Sequence, residues 1–363
     1  MPGQIIKAYG ASGAFIGGKH LQEMEIERTS PKADEVWINI MYCGVCRSDL
    51  HQVDNDWKNT IYPCVPGHEI IGRVQETGSA VTRFRTGDIV GVGSMIDSCG
   101  ECHSCKSGDE QYCEGPMGFT ATCNGYMKPN GSHFNTFGGY STDIVVKQHF
   151  VLSIPKSLDY KRAAPILCAG VTTYSPMKHW AVSKGDRIAV VGLGGLGHMA
   201  VMIGKAIEAQ VTVITNNEEK RDAGIELGAD DILFSDDESM MESASSKFSF
   251  ILVTIPDPFD INPYVRLLKR DGALVCVGLL GEYKRGTDNN EVAVYRRSIA
   301  GSIIGSVAET QEVLEFCAQH NILPETEMIS MKNINDAFDK IIKEDVRFRY
   351  VIDMQSMKET AME

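Results

Sequence analysis

The 363-residue chain has no run approaching the ~20 consecutive apolar residues of a membrane-spanning helix. Its start, Met1-Pro-Gly-Gln-Ile-Ile-Lys7, has no apolar signal core. Positive charge is also scarce: 35 Lys and Arg stand against 48 Asp and Glu, a formal net charge of -13. That balance argues against a polyanion as partner. Repeats, low-complexity tracts and charge blocks are lacking as well. The 11 cysteines are an odd number, so disulfides cannot pair them all, and a reducing, cytoplasmic setting with free thiols is expected. With 43% hydrophobic residues, this length suits an ordinary globular protein of about two domains.

Four of the cysteines, Cys99, Cys102, Cys105 and Cys113, fall within one short stretch. Four thiolates that close can complete a tetrahedral shell around zinc with no open position, the arrangement of a structural site. An iron centre or a redox dithiol shares the spacing, but no redox partner is suggested. A nucleic-acid zinc finger fits poorly, because residues 97–114 carry Asp97, Glu101, Asp109, Glu110 and Glu114 against a single Lys106.

Short β-rich runs at 5–9, 36–42, 69–74, 88–92 and 143–146, punctuated by glycine, predict an irregular antiparallel or barrel-like first domain. From Asp159, a candidate helix N-cap, the pattern turns helical, with Pro165 and Pro176 expected to break it into short pieces. The apolar strand 187–191 then runs into Gly192-Leu-Gly194-Gly195-Leu196-Gly197, a helix over 198–208 and a second strand over 211–215. Strand, glycine turn, helix, strand is the context of a dinucleotide-binding fingerprint: Gly192 for the turn, Gly194 for close approach to a pyrophosphate, Gly197 for helix packing. Alternation continues with a helix at 219–227, strands at 231–234 and 250–254, a helix at 263–269 and a strand at 273–277. Beyond lie helices at 308–320 and 334–343 and a strand at 349–353.

The end of the second strand carries cofactor preference. It reads Thr215-Asn216-Asn217-Glu218-Glu219-Lys220-Arg221, with no carboxylate at the strand end. An acid there would bind both ribose hydroxyls of NAD. Hydroxyl, amide and Lys220 instead favour the 2'-phosphate of NADP, although Glu218 stands close in register.

A second, dispersed set comprises Cys46, His68 and Cys168. Two thiolates and an imidazole suit a three-ligand zinc site with an open fourth position. Cys168 alone is as easily a small buried hydrophobe, and His68 a hydrogen-bonded structural residue. Spacing between such distant residues does not establish a site.

The motifs Gly44-Val-Cys46-x-Ser-Asp49-x-His51, Pro66-Gly67-His68-Glu69, the four-cysteine lobe, Gly138-Gly139-Tyr140, Cys168-Ala-Gly-Val-Thr172-Thr-Tyr-Ser-Pro176, the Gly192 turn and the ending Asp345-Val-Arg-Phe-Arg-Tyr350 occur in this order. Together they resemble the zinc-dependent medium-chain dehydrogenases, and most closely their cinnamyl alcohol dehydrogenase branch with its bacterial NADPH-dependent aldehyde reductases. The resemblance spans nearly the whole chain. It implies an α/β fold: a GroES-like β-rich catalytic domain over 1–156, a doubly wound Rossmann cofactor domain over 157–296, and a return of 297–363 to the first domain. It implies two zinc ions per chain, one catalytic on Cys46, His68 and Cys168 with Glu69 able to approach during ligand exchange, the other structural.

Asp49 is implied to orient the metal-bound imidazole, and Ser48 and His51 to form a proton relay. NADP(H) contacts are expected from Thr172, Gly192, Gly194, Gly195, Leu196, Gly197, Thr215, Asn216, Asn217, Lys220, Val277 and Ser302. Trp57 either lines the pocket or is a partly exposed packing tryptophan, with Met95, Met117 and Phe119 as weaker pocket candidates. The implied reaction is reduction of aromatic and aliphatic aldehydes, by a homodimer joined through sheet edges of the cofactor domain. The alternatives are a reductase of an activated carbon–carbon double bond, whose family members tend to have lost zinc ligands or relay residues, and a non-catalytic zinc protein. Two features depart from the pattern: the extra thiol Cys43, read as structural, and the segment 117–136 with Cys123 and His133, read as a surface loop or a border of the substrate cleft.

Overall fold

The computed structural model describes residues 3–14, 20–128, 133–279, 281–343 and 348–357. Residues 345–347 of the closing motif and 129–132 of the 117–136 segment lie outside that set. The chain divides into two compact units, one of residues 1–168 and 306–363, the other of residues 169–305.

The first unit is antiparallel in its main part. Strands β1 (Gln4–Gly10) and β2 (Gln22–Arg28) pair with each other. The large sheet is built on β3 (Glu35–Val45), which pairs antiparallel with β4 (Ile70–Thr77). Next come β5 (Ile89–Val92), a small ribbon of β6 (Met95–Asp97) with β7 (Thr120–Ala121), then β8 (Asp143–Lys147), paired to β3, and β9 (Leu152–Ser153), paired to β5. Val36, Ile38 and Ile40 alternate along β3, all buried, which fixes its register because a one-residue slip would turn that row outward.

The second unit holds β10 (Arg187–Val191), β11 (Gln210–Thr215), β12 (Asp231–Phe234), β13 (Phe248–Val253), β14 (Leu268–Cys276) and β15 (Ser298–Gly301). All neighbours are parallel, in the order β12-β11-β10-β13-β14-β15. That is the doubly wound order in which the strand sequence reverses beside the first strand, the place where dinucleotides bind. Ile188, Ala189, Val190, Val213, Ile214, Ile251 and Leu252 are fully buried, as expected for strands covered on both faces.

The chain then returns to the first unit. Strand β16 (Thr326–Ser330) pairs parallel with β17 (Arg349–Asp353), and β17 pairs antiparallel with β3, Ile352 opposite Cys43. The large sheet therefore runs β16-β17-β3-β4-β5-β9. The division between units falls at 168/169 and 305/306, later than the sequence boundaries at 156/157 and 296/297.

Two local expectations are corrected. The helix read at 263–269 is one short piece, Asn262–Val265, and Leu268 already belongs to β14 opposite Phe248. Its apolar residues are spaced for burial in either element, and strand pairing decides. Pro165 opens a separate 3-10 turn, Ala164–Leu167, but Pro176 sits inside the helix Ala169–His179. Every side chain from Ala169 to Met177 is buried there, which offsets the hydrogen bond that proline cannot donate. Asp159 is the expected N-cap, its carboxylate accepting from the Lys161 amide at 3.0 Å. No helix among the described residues is long and apolar enough to cross a membrane.

Candidate metal centres and cofactor turn

Strand β3 ends at Val45, and Cys46 adopts an extended conformation (φ -104°) as the N-cap of the helix Arg47–Val53. This places the Cys46 thiol at the junction and puts Asp49 one turn on. Asp49 is fully buried and accepts four hydrogen bonds. Its Oδ1 takes the Gly67 amide and His68 Nδ1, each at 2.9 Å, and its Oδ2 takes the Cys46 amide at 2.9 Å and the Tyr140 hydroxyl at 3.2 Å. One carboxylate thus ties the helix start, the Gly67-His68 turn and the Gly138-Gly139-Tyr140 motif together. Because His68 Nδ1 is engaged with Asp49, Nε2 is the nitrogen left for a ligand.

Donor atoms of Cys46, His68, Glu69 and Cys168, all buried, lie within 4.8 Å of one another. Zinc bonds of about 2.0–2.3 Å in a tetrahedron separate donors by about 3.3–3.8 Å, so a set gathered within 4.8 Å can close on the ion by small side-chain adjustment. The electrostatics agree. The Cys46 thiol is held well below the usual range, first by a hydrogen bond from Cys168 and then, against burial, by Arg349 and His68. Cys168, the donor of that bond, is pushed up together with its burial. Burial opposes a proton on His68, but the charge and hydrogen bond of Asp49, with Cys46, raise it well above the ordinary imidazole value. Burial also lifts Glu69 to about 7 in spite of Arg349, whose Nη2 is 3.3 Å from its Oε1. Neither Glu69 oxygen has a hydrogen-bond partner among the described residues, a state suited to a carboxylate that can reach a cation.

The second cluster is Cys99, Cys102, Cys105 and Cys113, whose sulfurs also converge within 4.8 Å. Cys99 Sγ and Cys105 Sγ are 3.8 Å apart, the edge of a tetrahedron with bonds of about 2.3 Å. Backbone amides point at the sulfurs: Cys102 to Cys99 at 3.4 Å, and Cys105 and Glu114 to Cys102 at 3.4 and 3.3 Å. These amides draw Cys102 down to about 6. Gly115 packs so closely that a Cβ there would lie 2.9 Å from the Cys99 Cβ.

Cys43 is buried but outside both donor sets. Its thiol donates to the Gly44 carbonyl at 3.6 Å and fills the space that a Cβ on Gly139 would need. Ser48 and His51, three apart, share one side of the helix Arg47–Val53. His51 Nδ1 is 2.6 Å from Asp56 Oδ2, and the Trp57 ring lies against the imidazole, centroids 5.6 Å apart. Met95 and Phe119 are buried. The sequence reading assigned no role to Asp56 or Arg349. Asp56 follows His51 by five residues in a polar loop, a weak signal; Arg349 is brought to Glu69 only by the pairing of β17 with β3.

In the second unit the glycine turn has the expected form. Gly192 is left-handed (φ 91°) and donates to Ile214 O at 2.9 Å. A Cβ on Gly197 would strike the Gly192 carbonyl, whereas at Gly194 there is open space, as a backbone that must admit a pyrophosphate requires. Gly195 and Leu196 lead into the helix Gly197–Ala206. Strand β11 stops at Thr215, whose Oγ1 accepts from the Asn217 amide at 3.2 Å; Asn216 is exposed, and Lys220 opens the helix Lys220–Glu226. Glu218 is exposed in the intervening turn, three residues past the strand. Val277 and Ser302 directly follow β14 and β15, on the carboxyl side of the sheet, and Thr172 is buried in the helix Ala169–His179.

Residues 32–156 match the family described as alcohol dehydrogenase GroES-like domain, and residues 195–319 match the family described as zinc-binding dehydrogenase. Aldehyde reductase YahK of Escherichia coli is 43% identical over 96% of this chain and 98% of its own. A cinnamyl alcohol dehydrogenase of Sorghum bicolor superposes with a TM-score of 0.91 at 39% identity, over 97% of this chain and 98% of that one. The CAD of Helicobacter pylori, solved in complex with NADP(H), does so with a TM-score of 0.88 at 35% identity, over 97% and 99%. Similarity of this extent, running through both units, makes the chain a member of the zinc-type medium-chain dehydrogenase/reductase family.

Proposed function

We propose that the protein is a zinc-dependent oxidoreductase that transfers hydride between NADP(H) and primary alcohol/aldehyde pairs, acting chiefly as an aldehyde reductase. The observation that carries this reading is the buried, convergent set Cys46, His68, Glu69 and Cys168 organised by Asp49. The names of the full-length relatives, an aldehyde reductase among them, support the reaction class. Zinc on Cys46, His68 and Cys168 would supply Lewis acidity toward a carbonyl or alcohol oxygen, and NADP(H) at the glycine turn would give or take the hydride.

The chain's own residues supply the rest. Asp49 keeps the proton of His68 on Nδ1, so the imidazole offers Nε2 and cannot rotate. Reducing an aldehyde needs a proton at the product oxygen as well as a hydride at carbon. The Ser48 hydroxyl provides that proton, and His51 restores it from solvent. Asp56 fixes the tautomer of His51 by holding Nδ1. Cys99, Cys102, Cys105 and Cys113 hold a structural zinc and take no part in turnover. The absence of a carboxylate at Asn216, with Lys220 four residues on at the start of the next helix, favours NADP over NAD. The complete donor and relay set favours carbonyl chemistry over reduction of a carbon–carbon double bond. A cytoplasmic homodimer joined along β15 completes the reading, and sedimentation analysis tests the dimer.

The decisive experiment is direct. Purified protein should contain two zinc ions per chain and oxidise NADPH much faster than NADH in the presence of benzaldehyde or a medium-length aliphatic aldehyde. Metal-replete protein that is inactive across a broad aldehyde panel refutes the reading.

A further inference from the structure

The loop that follows the relay helix turns back on itself. Its near end is held by the helix: the amides of Asp54, Asn55 and Asp56 donate to Leu50, Gln52 and His51 carbonyls at 2.9, 3.3 and 3.0 Å. Asn55 (φ 62°) and Lys58 (φ 57°) are both left-handed and bracket Asp56 and Trp57, which is how both side chains come to face His51. Left-handed backbone is unfavourable for a residue such as lysine. The far end of the loop must therefore be fixed by other contacts.

Those contacts come from two sides, the 117–136 segment and the helix with the loop itself, where Asn55 Oδ1 accepts the Thr60 amide at 3.0 Å and the Tyr62 hydroxyl donates to the Val53 carbonyl at 2.8 Å. Asn124 is buried and itself left-handed (φ 70°). Its Oδ1 accepts the Ile61 amide at 2.7 Å and its Nδ2 donates to the Asn59 carbonyl at 3.1 Å, so one amide group clips both sides of the turn. Asn135 Nδ2 donates to the Ile61 and Pro63 carbonyls at 3.1 and 2.8 Å. From the helix, Gln52 Nε2 reaches Asn59 Oδ1 and Thr60 Oγ1 at 3.1 and 2.7 Å.

We infer that Asn124, assisted by Asn135, is a positioning residue that sets selectivity among aldehydes by holding Trp57 and Asp56 against His51. Asn124 and Asn135 thereby act through the loop and not on the substrate. An aldehyde with an aromatic face gains from a fixed indole beside the relay, because aromatic packing needs a defined geometry. Acetaldehyde is too small to gain from it. This rests on the aldehyde reductase reading above.

The test uses Asn124→Gly, which keeps the left-handed backbone accessible while deleting the clip, and Asn135→Ala as an independent lesion. Two readouts are taken on zinc-loaded full-length protein. The first is the rate of tryptic cleavage after the exposed Lys58, relative to cleavage at Lys184 in the other unit, followed by mass spectrometry. The second is the ratio of kcat/KM for benzaldehyde to that for acetaldehyde. Faster cleavage at Lys58 in either variant, with a ratio lower by about tenfold, is the expected result. Unchanged Lys58 cleavage in both variants, or faster cleavage with an unchanged ratio, overturns the inference. Should the parent protein turn over neither aldehyde, the functional reading falls by itself, and unchanged Lys58 cleavage would still refute the clip.

Discussion

Replacing Asp49 by asparagine tests the organisation of the proposed catalytic site without changing its shape. The carboxylate accepts two donors on each oxygen, and an amide keeps only one accepting oxygen. In the best orientation that oxygen serves Gly67 and His68. The new NH2 group then faces the Cys46 amide and the Tyr140 hydroxyl. Tyr140 can rotate its proton away and accept; the Cys46 amide cannot. One orphaned buried amide costs about 1–3 kcal/mol, and exchanging two charge-assisted bonds for neutral ones costs about 1 kcal/mol each. The sum, about 3–5 kcal/mol, is a large part of the stability of a typical domain. His68 also loses its anionic partner, and loss of such support weakens metal binding by about 10–100-fold. Chelator competition with zinc analysis, alongside urea unfolding, measures both effects. One zinc should leave at a lower chelator concentration while the four-cysteine ion stays. A variant that keeps both ions with parental affinity, or loses the four-cysteine ion first, refutes the role given to Asp49.

Other outcomes follow from the same geometry. Asn216→Asp should shift preference toward NADH, measured as the NADPH/NADH ratio of kcat/KM; no shift would mean that the 2'-phosphate is not read at the end of β11. Gly197→Ala drives a Cβ into the Gly192 carbonyl, so it should cost about 1–3 kcal/mol in urea unfolding and weaken NADPH binding; a neutral variant would show that the turn can yield. Burial pushes the Cys317 thiol up to about 12 from an ordinary 9.0. Its folded-state value is raised, so its contribution to stability is complete below pH 9 and is lost as pH rises toward 12. Cys317→Ala should therefore flatten the fall of unfolding free energy across that interval, and an unchanged slope would assign the fall to other groups. Asp56→Asn should lower kcat more than it raises KM, because it acts on the proton step; a change confined to KM would place Asp56 outside the relay.

The local physics of the second unit was readable from the chain. Continuous apolar runs such as Arg187–Val191, a glycine turn and a following helix constrain one another within short sequence distances, so strand, turn and helix fall close to where they were expected. Where packing competes with propensity, local reading fails: Leu268 joins a strand because Phe248 lies opposite, and Pro176 stays in a helix whose residues from Ala169 to Met177 are all buried. The four-cysteine cluster was legible because its ligands are close in sequence. The dispersed donors Cys46, His68 and Cys168 were not established by spacing, and resemblance alone proposed them.

The sequence by itself therefore determined the elements whose partners are near: the closed cysteine cluster, the glycine turn, and the lack of a carboxylate at Asn216. Tertiary structure decided what depends on distant partners. Pairing of β17 with β3 brings Arg349 to Glu69, and the fold around Asp49 gathers Cys46, Gly67, His68 and Tyr140 onto one carboxylate. The physical reason is range. Hydrogen bonds and turns between neighbours are written in local pattern, but which buried charge meets which donor from a distant part of the chain is set only when the sheet closes.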